Sequence, residues 1–363
     1  MKKKNKEIKI VAPGRTCLFG DHQDYLGLPV IACAITKYIN LNAYENSSFV
    51  FIIQLPDIGE ERIIDIYDDF KILEKRDYFA SSLKVLKRYG CLPDKGFNIT
   101  ITGDLPINAG LSSSSALIVA WIRFLLEGFG SNHKITPELI ARIAFEAEVL
   151  EHMEPGGIMD QYAISIGNVI FINTNEKASY KIIQNNLEGL IVGESGIKKE
   201  TIGTLGNRKE NALKAITYVK SKNPEFEIKS ALLEEYEAYA KVIPLELRPY
   251  FYAALKNHSI TIKAFDEFKK EKPDLRYLGT LMNEHHLVLK DILKITVPLI
   301  DQMVSKALEA GAYGVKIVGS GGGGSIVAIA PLEKEQKVID AICNAGGKAA
   351  YKVNVDMGAR LID

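Results

Sequence analysis

The chain has 363 residues, of which 47% are hydrophobic and 25% are charged. Lys and Arg together number 45, as do Asp and Glu, so the formal net charge is zero. This balance argues against a broad nucleic-acid or acidic-membrane surface, and no apolar run reaches the roughly 18 residues of a membrane-spanning helix.

The cysteines, the N-terminal residues and the length narrow the class of protein further. Cys17, Cys33, Cys91 and Cys343 are far apart and contain no CxxC pair, which fits a reducing compartment and argues against a zinc site. The N-terminal lysines are not followed by the apolar core of a secretory signal. We therefore expect a cytoplasmic protein of two domains or one large α/β unit, monomeric or homodimeric, without a nucleic-acid or membrane partner.

The first half of the chain mixes strand-like and helical segments. Residues 7–15, 28–36 and 95–106 are rich in Ile, Val and alternating Thr, which predicts strands, the first ending at Pro13-Gly14. Residues 135–153 have apolar positions at helical spacing, with Thr136 as the cap and a proline after it. Residues 162–174 are predicted to form two strands joined by a turn at Gly167-Asn168.

Four consecutive serines, Ser112 to Ser115, precede the apolar run 116–121. Serine is unfavourable inside a helix but is a good N-cap. A helix start also offers free N–H groups, which small hydroxyl residues let an anion approach. Two interpretations of this stretch stay open: a capped, buried helix, or an anion-binding helix start.

The second half is predicted to be mostly helical from about residue 177 to residue 298, and we place a domain boundary near Thr174. A glycine-rich loop, Gly319 to Ser325, then lies between two apolar strands. The dinucleotide motif needs a helix after its loop and the Walker motif needs Gly-Lys-Ser/Thr, so both motifs fail here. A tight turn would need two glycines, so five glycines favour a close approach of the backbone to another group.

Three segments in order resemble the motifs of the GHMP kinases, the superfamily of galactokinase, homoserine kinase and mevalonate kinase. The first is Ala12–Ile35, the second is Pro-x-x-x-Gly-Leu-x-Ser-Ser from Pro106 to Ser114, and the third is the loop 319–324. Within the superfamily the chain is most similar to galactokinases, through Pro13-Gly14-Arg15, Gly20 to Tyr25 and Gly156 to Ala163.

The resemblance implies an α/β (α+β) fold of two domains with the active site between them. Residues 1–174 would form an N-terminal α/β domain, and residues 175–363 a ferredoxin-like C-terminal domain. The implied activity is transfer of a phosphoryl group from ATP, with Mg²⁺, to the anomeric (C1) hydroxyl of a monosaccharide, with galactose as the leading candidate. A kinase for an N-acetylated, deoxy, pentose or uronic sugar, and a non-catalytic sugar-sensing paralogue, stay open as alternatives.

The resemblance also implies roles for single residues. Asp160 would face the attacking hydroxyl and pair with Arg15, and whether Asp160 removes the proton or only orients the hydroxyl stays open. Glu148 lies twelve residues before Asp160, the spacing of the family's magnesium contact, although the helix alone would place it on a solvated face. The residues implied for the sugar are Asp21, His22, Asp24, Tyr25 and Gly157; for the nucleotide, Gly110, Leu111, Ser112, Ser113, Ser114, Ser115, Gly319, Gly321 and Gly322; for magnesium, Ser114 and Glu148.

The chain departs from the galactokinase pattern mainly on the sugar side. Asp21 stands where the family has a glutamate, one methylene longer, so we expect the exocyclic end of the sugar to be loosely specified. Gly156 replaces the usual cysteine. Trp121 is expected in the core, and His285 and His286 are expected in the core or on the surface and not in catalysis.

Overall fold

The computed structural model describes residues 6–175, 178–184, 187–198 and 202–362, with side chains in the last range from residue 205 onward. The strands are β1 Glu7–Phe19, β2 Val30–Glu45, β3 Val50–Leu55, β4 Glu60–Asp65, β5 Phe97–Gly103, β6 Val169–Asn173, β7 Ser179–Ile183, β8 Leu190–Glu194, β9 Gly314–Val318, β10 Ser325–Ile329, β11 Ala349–Val353 and β12 Arg360–Ile362. The helices are α1 Tyr78–Arg88, α2 Ser113–Phe129, α3 Pro137–Phe145, α4 Met159–Ile166, α5 Ile202–Lys222, α6 Tyr236–Ala240, α7 Arg248–Phe268, α8 Leu275–Leu287, α9 Pro298–Ala310 and α10 Glu335–Asn344.

A first sheet of eight strands has the order β12-β1-β2-β5-β3-β4, with β6 paired to β2 and β7 paired to β6. β2 is long enough to serve two neighbours on one side, β6 near Val30–Cys33 and β5 near Ile39–Glu45. β1 does not end at Pro13-Gly14 as predicted. It continues to Phe19, because a register shift on β2 accommodates the proline and glycine.

A second sheet has four antiparallel strands in the order β11-β8-β10-β9. This is the strand order 4-1-3-2 of a ferredoxin-like unit, with α9 and α10 packed on the sheet. The mixed α/β architecture and the strand–loop–strand prediction around residues 319–325 are therefore confirmed. β7 and β8 lie inside the region from 177 that periodicity predicts as mostly helical.

The core of the first half is built around α2, which lies against β1 and β2. Trp121 and Phe124 of α2 are fully buried and pack edge-on against Phe51 and Phe97 of the sheet. Aromatic rings in such arrangements contribute beyond their buried area. The prediction that Trp121 is a core residue is confirmed.

Two helical segments differ from simple expectation. Residues 162–166, predicted as a strand, belong to α4, because a short continuous apolar run does not distinguish a buried strand from a buried helix. α3 begins as predicted, with the Thr136 hydroxyl accepting a hydrogen bond from the backbone of Leu139. It then continues as a π turn over Glu146–Leu150, a local widening that is frequent at functional sites.

The two sheets are joined by α7 and α8 and by exchange of strands. Both helices contact β1, and α8 also contacts β9 and β10. β7 and the C-terminal β12 belong to the first sheet, so no single cut separates the strands of the two sheets. The division at residue 174 stays a prediction. Within the described ranges, no helix is both long and apolar enough to cross a membrane.

Candidate active site

A cavity of about 310 Å³ brings the first and third motifs together with the serine run. Every residue predicted for the sugar, the metal and catalysis lines it. The predicted residues come from β1 and the loop after it, α2, the π turn, α4 with the segment before it, and the start of the glycine loop. The predicted residues among its lining are Arg15, Asp21, His22, Asp24, Tyr25, Ser114, Ser115, Glu148, Gly157, Asp160 and Gly319.

A second, mainly apolar cavity of about 250 Å³ lies on the other side of the serine run. Gly110 and the serines Ser112, Ser113 and Ser114 line it. Leu111 is fully buried in the core beneath the run. The apolar lining residues are Ile39, Leu55, Ile58, Ile101, Ile107 and Leu117.

Arg15 and Asp160 form a two-pronged ion pair in the first cavity. Arg15 Nε donates to Asp160 Oδ1 at 2.8 Å, and Nη2 donates to Oδ2 at 2.9 Å. The remaining nitrogen, Nη1, donates to the carbonyl of Gly110 at 2.6 Å. Burial lowers the pKa of Arg15, but the carboxylate of Asp160 outweighs it and the pKa is raised. A buried guanidinium of this kind is a permanent cation of fixed geometry.

The serine run does begin a helix, but its first hydroxyl does not cap it. Ser112 occupies the N-cap with φ 60° and makes no capping hydrogen bond. Its hydroxyl donates to Asp160 Oδ2 instead. The N-terminal N–H groups of α2 therefore lack a side-chain cap from Ser112, which favours the anion-binding interpretation of this stretch over a capped helix.

Glu148 is buried beside the serine run, where the π turn places it. Its Oε1 accepts from the Ser114 hydroxyl at 3.0 Å, and its Oε2 accepts from Gln161 Nε2 at 2.6 Å. Burial is the main cause that raises the pKa of Glu148. The solvated-face interpretation of Glu148 is therefore wrong.

The oxygens at this position suit one metal in particular. The described residues contain no cluster of three or more His, Cys, Asp or Glu that could enclose an ion. Mg²⁺ needs no such cage, since it takes one or two protein oxygens and completes its shell with phosphates and water. The buried carboxylate and hydroxyl of Glu148 and Ser114 fit that requirement.

The loop after β1 holds a histidine and two acids in separate environments. His22 has φ 64°, its Nδ1 lies 3.1 Å from the Tyr25 hydroxyl, and its buried Nε2 has no partner among the described residues. Burial lowers the pKa of His22 to about 4, so the ring is neutral at pH 7. Burial, then the charge of Asp160, raises the pKa of Asp24 to about 6.

Gly157 lies so close to this loop that a residue with a side chain would collide with Asp24. A Cβ at residue 157 would lie 2.0 Å from Asp24 Oδ2. Any side chain there would displace the Asp24 carboxylate from the cavity. Gly157 is therefore needed for the close approach of the segment before α4 to the sugar-side loop.

Asp21 lines the cavity and is also bonded to residues of the second half of the chain. Its Oδ2 lies 2.6 Å from Lys316 Nζ, and its Oδ1 accepts from the backbone N–H of Gly319 at 3.0 Å. Burial by itself raises the pKa of Asp21. The opposing effects, of which the charge of Lys316 is the largest, are stronger together and lower the pKa to about 2. Sequence reasoning missed Lys316, although a single lysine inside the buried strand β9 was a visible signal.

The glycine loop is hydrogen-bonded to backbone carbonyl groups elsewhere in the chain. The N–H of Gly322 donates to Ile295 O at 2.8 Å, and the N–H of Gly324 donates to Ile197 O at 2.9 Å. A Cβ at Gly321, where φ is 84°, would lie 2.5 Å from Ile295 Cβ. Gly321 and Gly322 are not among the described residues that line either cavity, so the geometry gives no support to their predicted contact with the nucleotide.

The first cavity has more carboxylates than cations, and Asp24 and Glu148 are the two that form no ion pair with a described cation. Two guanidinium groups line it, Arg15 and Arg76, and Arg76 Nε pairs with Glu154 Oε1 at 3.0 Å. A highly charged anion would therefore need an added cation to enter. The carboxylates in the lining are Asp21, Asp24, Glu148, Glu154 and Asp160.

Three family models match the chain. The model of the GHMP kinases N terminal domain matches residues 77–168, and that of the GHMP kinases C terminal matches residues 261–348. The galactokinase galactose-binding signature matches residues 2–42. These ranges contain the three motif segments described above.

Relatives cover almost the whole chain. A mevalonate kinase of Thermococcus sibiricus is 30% identical and covers 93% of this chain and 92% of its own length. A galactokinase of Pyrococcus furiosus is 28% identical with the same shares. The structure of Lactococcus lactis galactokinase with galactose superposes with a TM-score of 0.87 at 22% identity, over 98% of this chain and 95% of that one. From these matches and the two-domain architecture, we conclude that the chain belongs to the GHMP kinase family, whose members use ATP.

Proposed function

We propose that this kinase transfers the terminal phosphoryl group of ATP to the anomeric (C1) hydroxyl of galactose. The observation that carries the proposal is the Arg15–Asp160 ion pair, which shares one cavity with the Ser114–Glu148 pair. The match of the galactose-binding signature to residues 2–42 supports galactose as the sugar.

On the sugar side, Asp160 receives the attacking hydroxyl. Arg15 and Ser112 donate three hydrogen bonds to its carboxylate and hold it in one orientation. Holding the acceptor in place lowers the entropic cost of the reaction. Proton removal and simple orientation both remain compatible with this role. Asp24 and the unpartnered Nε2 of His22 then bind ring hydroxyls.

On the nucleotide side, the N-terminus of α2 receives the phosphates. Ser114 and Glu148 would hold Mg²⁺, which supplies neutralisation of the phosphate charge when it is bound. The apolar cavity behind the serine run, lined by Leu55, Ile107 and Leu117, would take the adenine ring.

Mevalonate is a second candidate substrate, because the Thermococcus sibiricus mevalonate kinase is as similar in sequence as the galactokinases are. Leu205 and Met159 also give the cavity apolar lining. The N-acetylated, deoxy, pentose and uronic sugars stay open as further alternatives. Retention of Arg15, Asp160 and Glu148 together argues against a non-catalytic sugar sensor.

A substrate panel tests the proposal. ADP release with Mg²⁺ and ATP should be measured against galactose, 6-deoxygalactose, N-acetylgalactosamine, arabinose, galacturonate, glucose and mevalonate. We expect the highest kcat/KM with galactose and phosphate on carbon 1, located by phosphorus–proton NMR. Turnover of mevalonate alone, or phosphate on another carbon, would show the proposal to be wrong.

A further inference from the structure

We propose that Asp21 and Lys316 form a clasp between the two sheets that positions the glycine loop for phosphoryl transfer. Asp21 is then a positioning residue and not a sugar-binding residue. The inference rests on the proposed function only for its activity measurements, since the contacts that carry it do not depend on the sugar.

The clasp joins segments that are distant in the chain. Asp21 follows β1 of the first sheet, and Lys316 is the central residue of β9 in the second sheet. Their side chains are 1% and 0% exposed, and Lys316 Nζ also donates to the carbonyl of Cys17 at 2.9 Å. Loss of either partner would leave a buried charge unpaired, which is strongly destabilising.

The same carboxylate also fixes the beginning of the glycine loop. Gly319 is the first residue after β9, and its N–H donates to Asp21 Oδ1 at 3.0 Å. Each oxygen of Asp21 therefore already accepts from the C-terminal half of the chain. Asp21 is only 2% exposed as a whole residue, and both of its buried carboxylate oxygens have hydrogen-bond partners without a sugar hydroxyl.

The residues at both ends of the glycine loop contact the two residues that come shortly before the serine run. A Cβ on Gly110 would lie 3.1 Å from the carbonyl of Val318, and Ser325 Oγ donates to the carbonyl of Ala109 at 2.6 Å. The carbonyl of Gly110 accepts from Arg15 Nη1. Contacts thus run from the clasp through the glycine loop to the guanidinium that holds the catalytic carboxylate.

Lys316 is the cleaner probe, because it is not among the described residues that line the cavity. We would compare Lys316→Met with the double variant Asp21→Leu/Lys316→Met, which replaces the ion pair with apolar groups. Lys352→Met is the matched control, since Lys352 lies on β11 of the same sheet in a partly exposed ion pair with Glu335. The measurements are melting temperature, kcat, KM for MgATP and for galactose, and affinity for a fluorescent ATP analogue.

We expect Lys316→Met to lower the melting temperature by about 5–10 °C, and the double variant to recover most of that loss. Turnover should fall by about tenfold to a hundredfold in both, because the loop has lost its anchor. The KM for galactose, and the preference for galactose over 6-deoxygalactose, should stay within about twofold of the parent values.

Two outcomes would overturn the clasp. If the double variant regains turnover together with stability, the pair is only structural. If it keeps kcat but raises the galactose KM and loses the preference for the 6-hydroxyl, Asp21 binds the sugar.

Should the parent enzyme not phosphorylate galactose, the proposed function fails by itself. Affinity for the ATP analogue then decides, since the clasp requires weaker binding in both Lys316 variants and unchanged binding in Lys352→Met.

Discussion

At the residue scale, the acids of the cavity differ in what surrounds them. Asp160 is held by the Arg15 guanidinium, whereas burial is the main cause that raises the pKa of both Asp24 and Glu148. One group is fixed in place and the other two are destabilised in their charged forms, so a bound cation or a donated hydrogen bond would favour their ionisation. Perturbed acids of this kind are frequent at functional sites.

Asp160→Asn keeps the size of the side chain but removes the charge opposite Arg15. We expect kcat to fall by about 10²–10⁴-fold, the range for loss of one group that handles or positions a proton. Steady-state kinetics would measure the fall, with circular dichroism to show that the fold is retained. Turnover close to that of the parent would remove Asp160 from the reaction.

Ser114→Ala and Glu148→Gln each remove or weaken an oxygen at the proposed magnesium position. We expect the Mg²⁺ concentration for half-maximal rate to rise by about tenfold in each variant. Ser305→Ala, at an exposed serine of α9, serves as the control. Magnesium titrations that overlay the parent curve would place the metal elsewhere.

Asp24 should make stability depend on pH in a defined direction. Its pKa rises from 3.8 to about 6 on folding, so the folded state binds the proton more tightly than the unfolded state. This stabilisation is complete below pH 3.8 and is lost as the pH rises through about 6. The free energy of unfolding in urea should be measured from pH 4 to pH 7 for the parent and for Asp24→Asn. The value for the parent minus that for the variant should fall across that window, because only the parent has a carboxyl group at residue 24. Parallel curves would contradict the raised pKa.

At the scale of elements, local irregularities position the site. The π turn after α3 turns Glu148 inward, and the left-handed Ser112 directs its hydroxyl to Asp160 and away from a cap. The glycine loop similarly takes an unusual backbone so that it can pack on Ile295. Such features have a local cost in stability, which the packing around them offsets.

Gly321→Ala tests the glycine loop as a packed element. The added Cβ would meet Ile295 at 2.5 Å from a backbone with positive φ, so we expect a loss of about 1–3 kcal/mol in unfolding free energy. Gly206→Ala in α5 is the control, since a Cβ there meets no atom within 4 Å and alanine favours a helix. Equal stability of the two variants in urea unfolding would show that the loop is loosely packed.

At the scale of the whole molecule, the two halves are interlocked. The C-terminal strand β12 pairs with β1, and Phe268 of α7 packs edge-on against Phe19. The first sheet is therefore completed by residues near the end of the chain. The first cavity is also lined by residues from both halves, including Arg15 and Gly319.

Fragments 1–174 and 175–363 test how far the halves depend on one another. We expect fragment 1–174 alone to lack a cooperative unfolding transition, because β1 loses β12 and the helix that covers it. Co-expression with fragment 175–363 should restore a soluble complex. A cooperative transition of the isolated first fragment in urea would show instead that it is an independent domain.

The features predicted from the sequence are those with local signals. Helical spacing and the Thr136 cap located α3, and apolar strands on both sides of the glycines predicted β9 and β10. The ordered motifs also identified the correct family and half of the residues that line the first cavity. Local patterns are sufficient here because strand and helix periodicities are visible within a few residues.

Tertiary structure decided the identity of α4 and the partners of the acids. The apolar run Tyr162–Ile166 fits a strand or a buried helix equally well, and only its packing chose the helix. Lys316 lies 295 residues from Asp21, so no local pattern indicates that their side chains meet. The same holds for Glu148, whose burial depends on a π turn and on α2 beside it. Periodicity reports which face of an element is apolar, whereas the contact that a polar side chain makes depends on how the elements pack together.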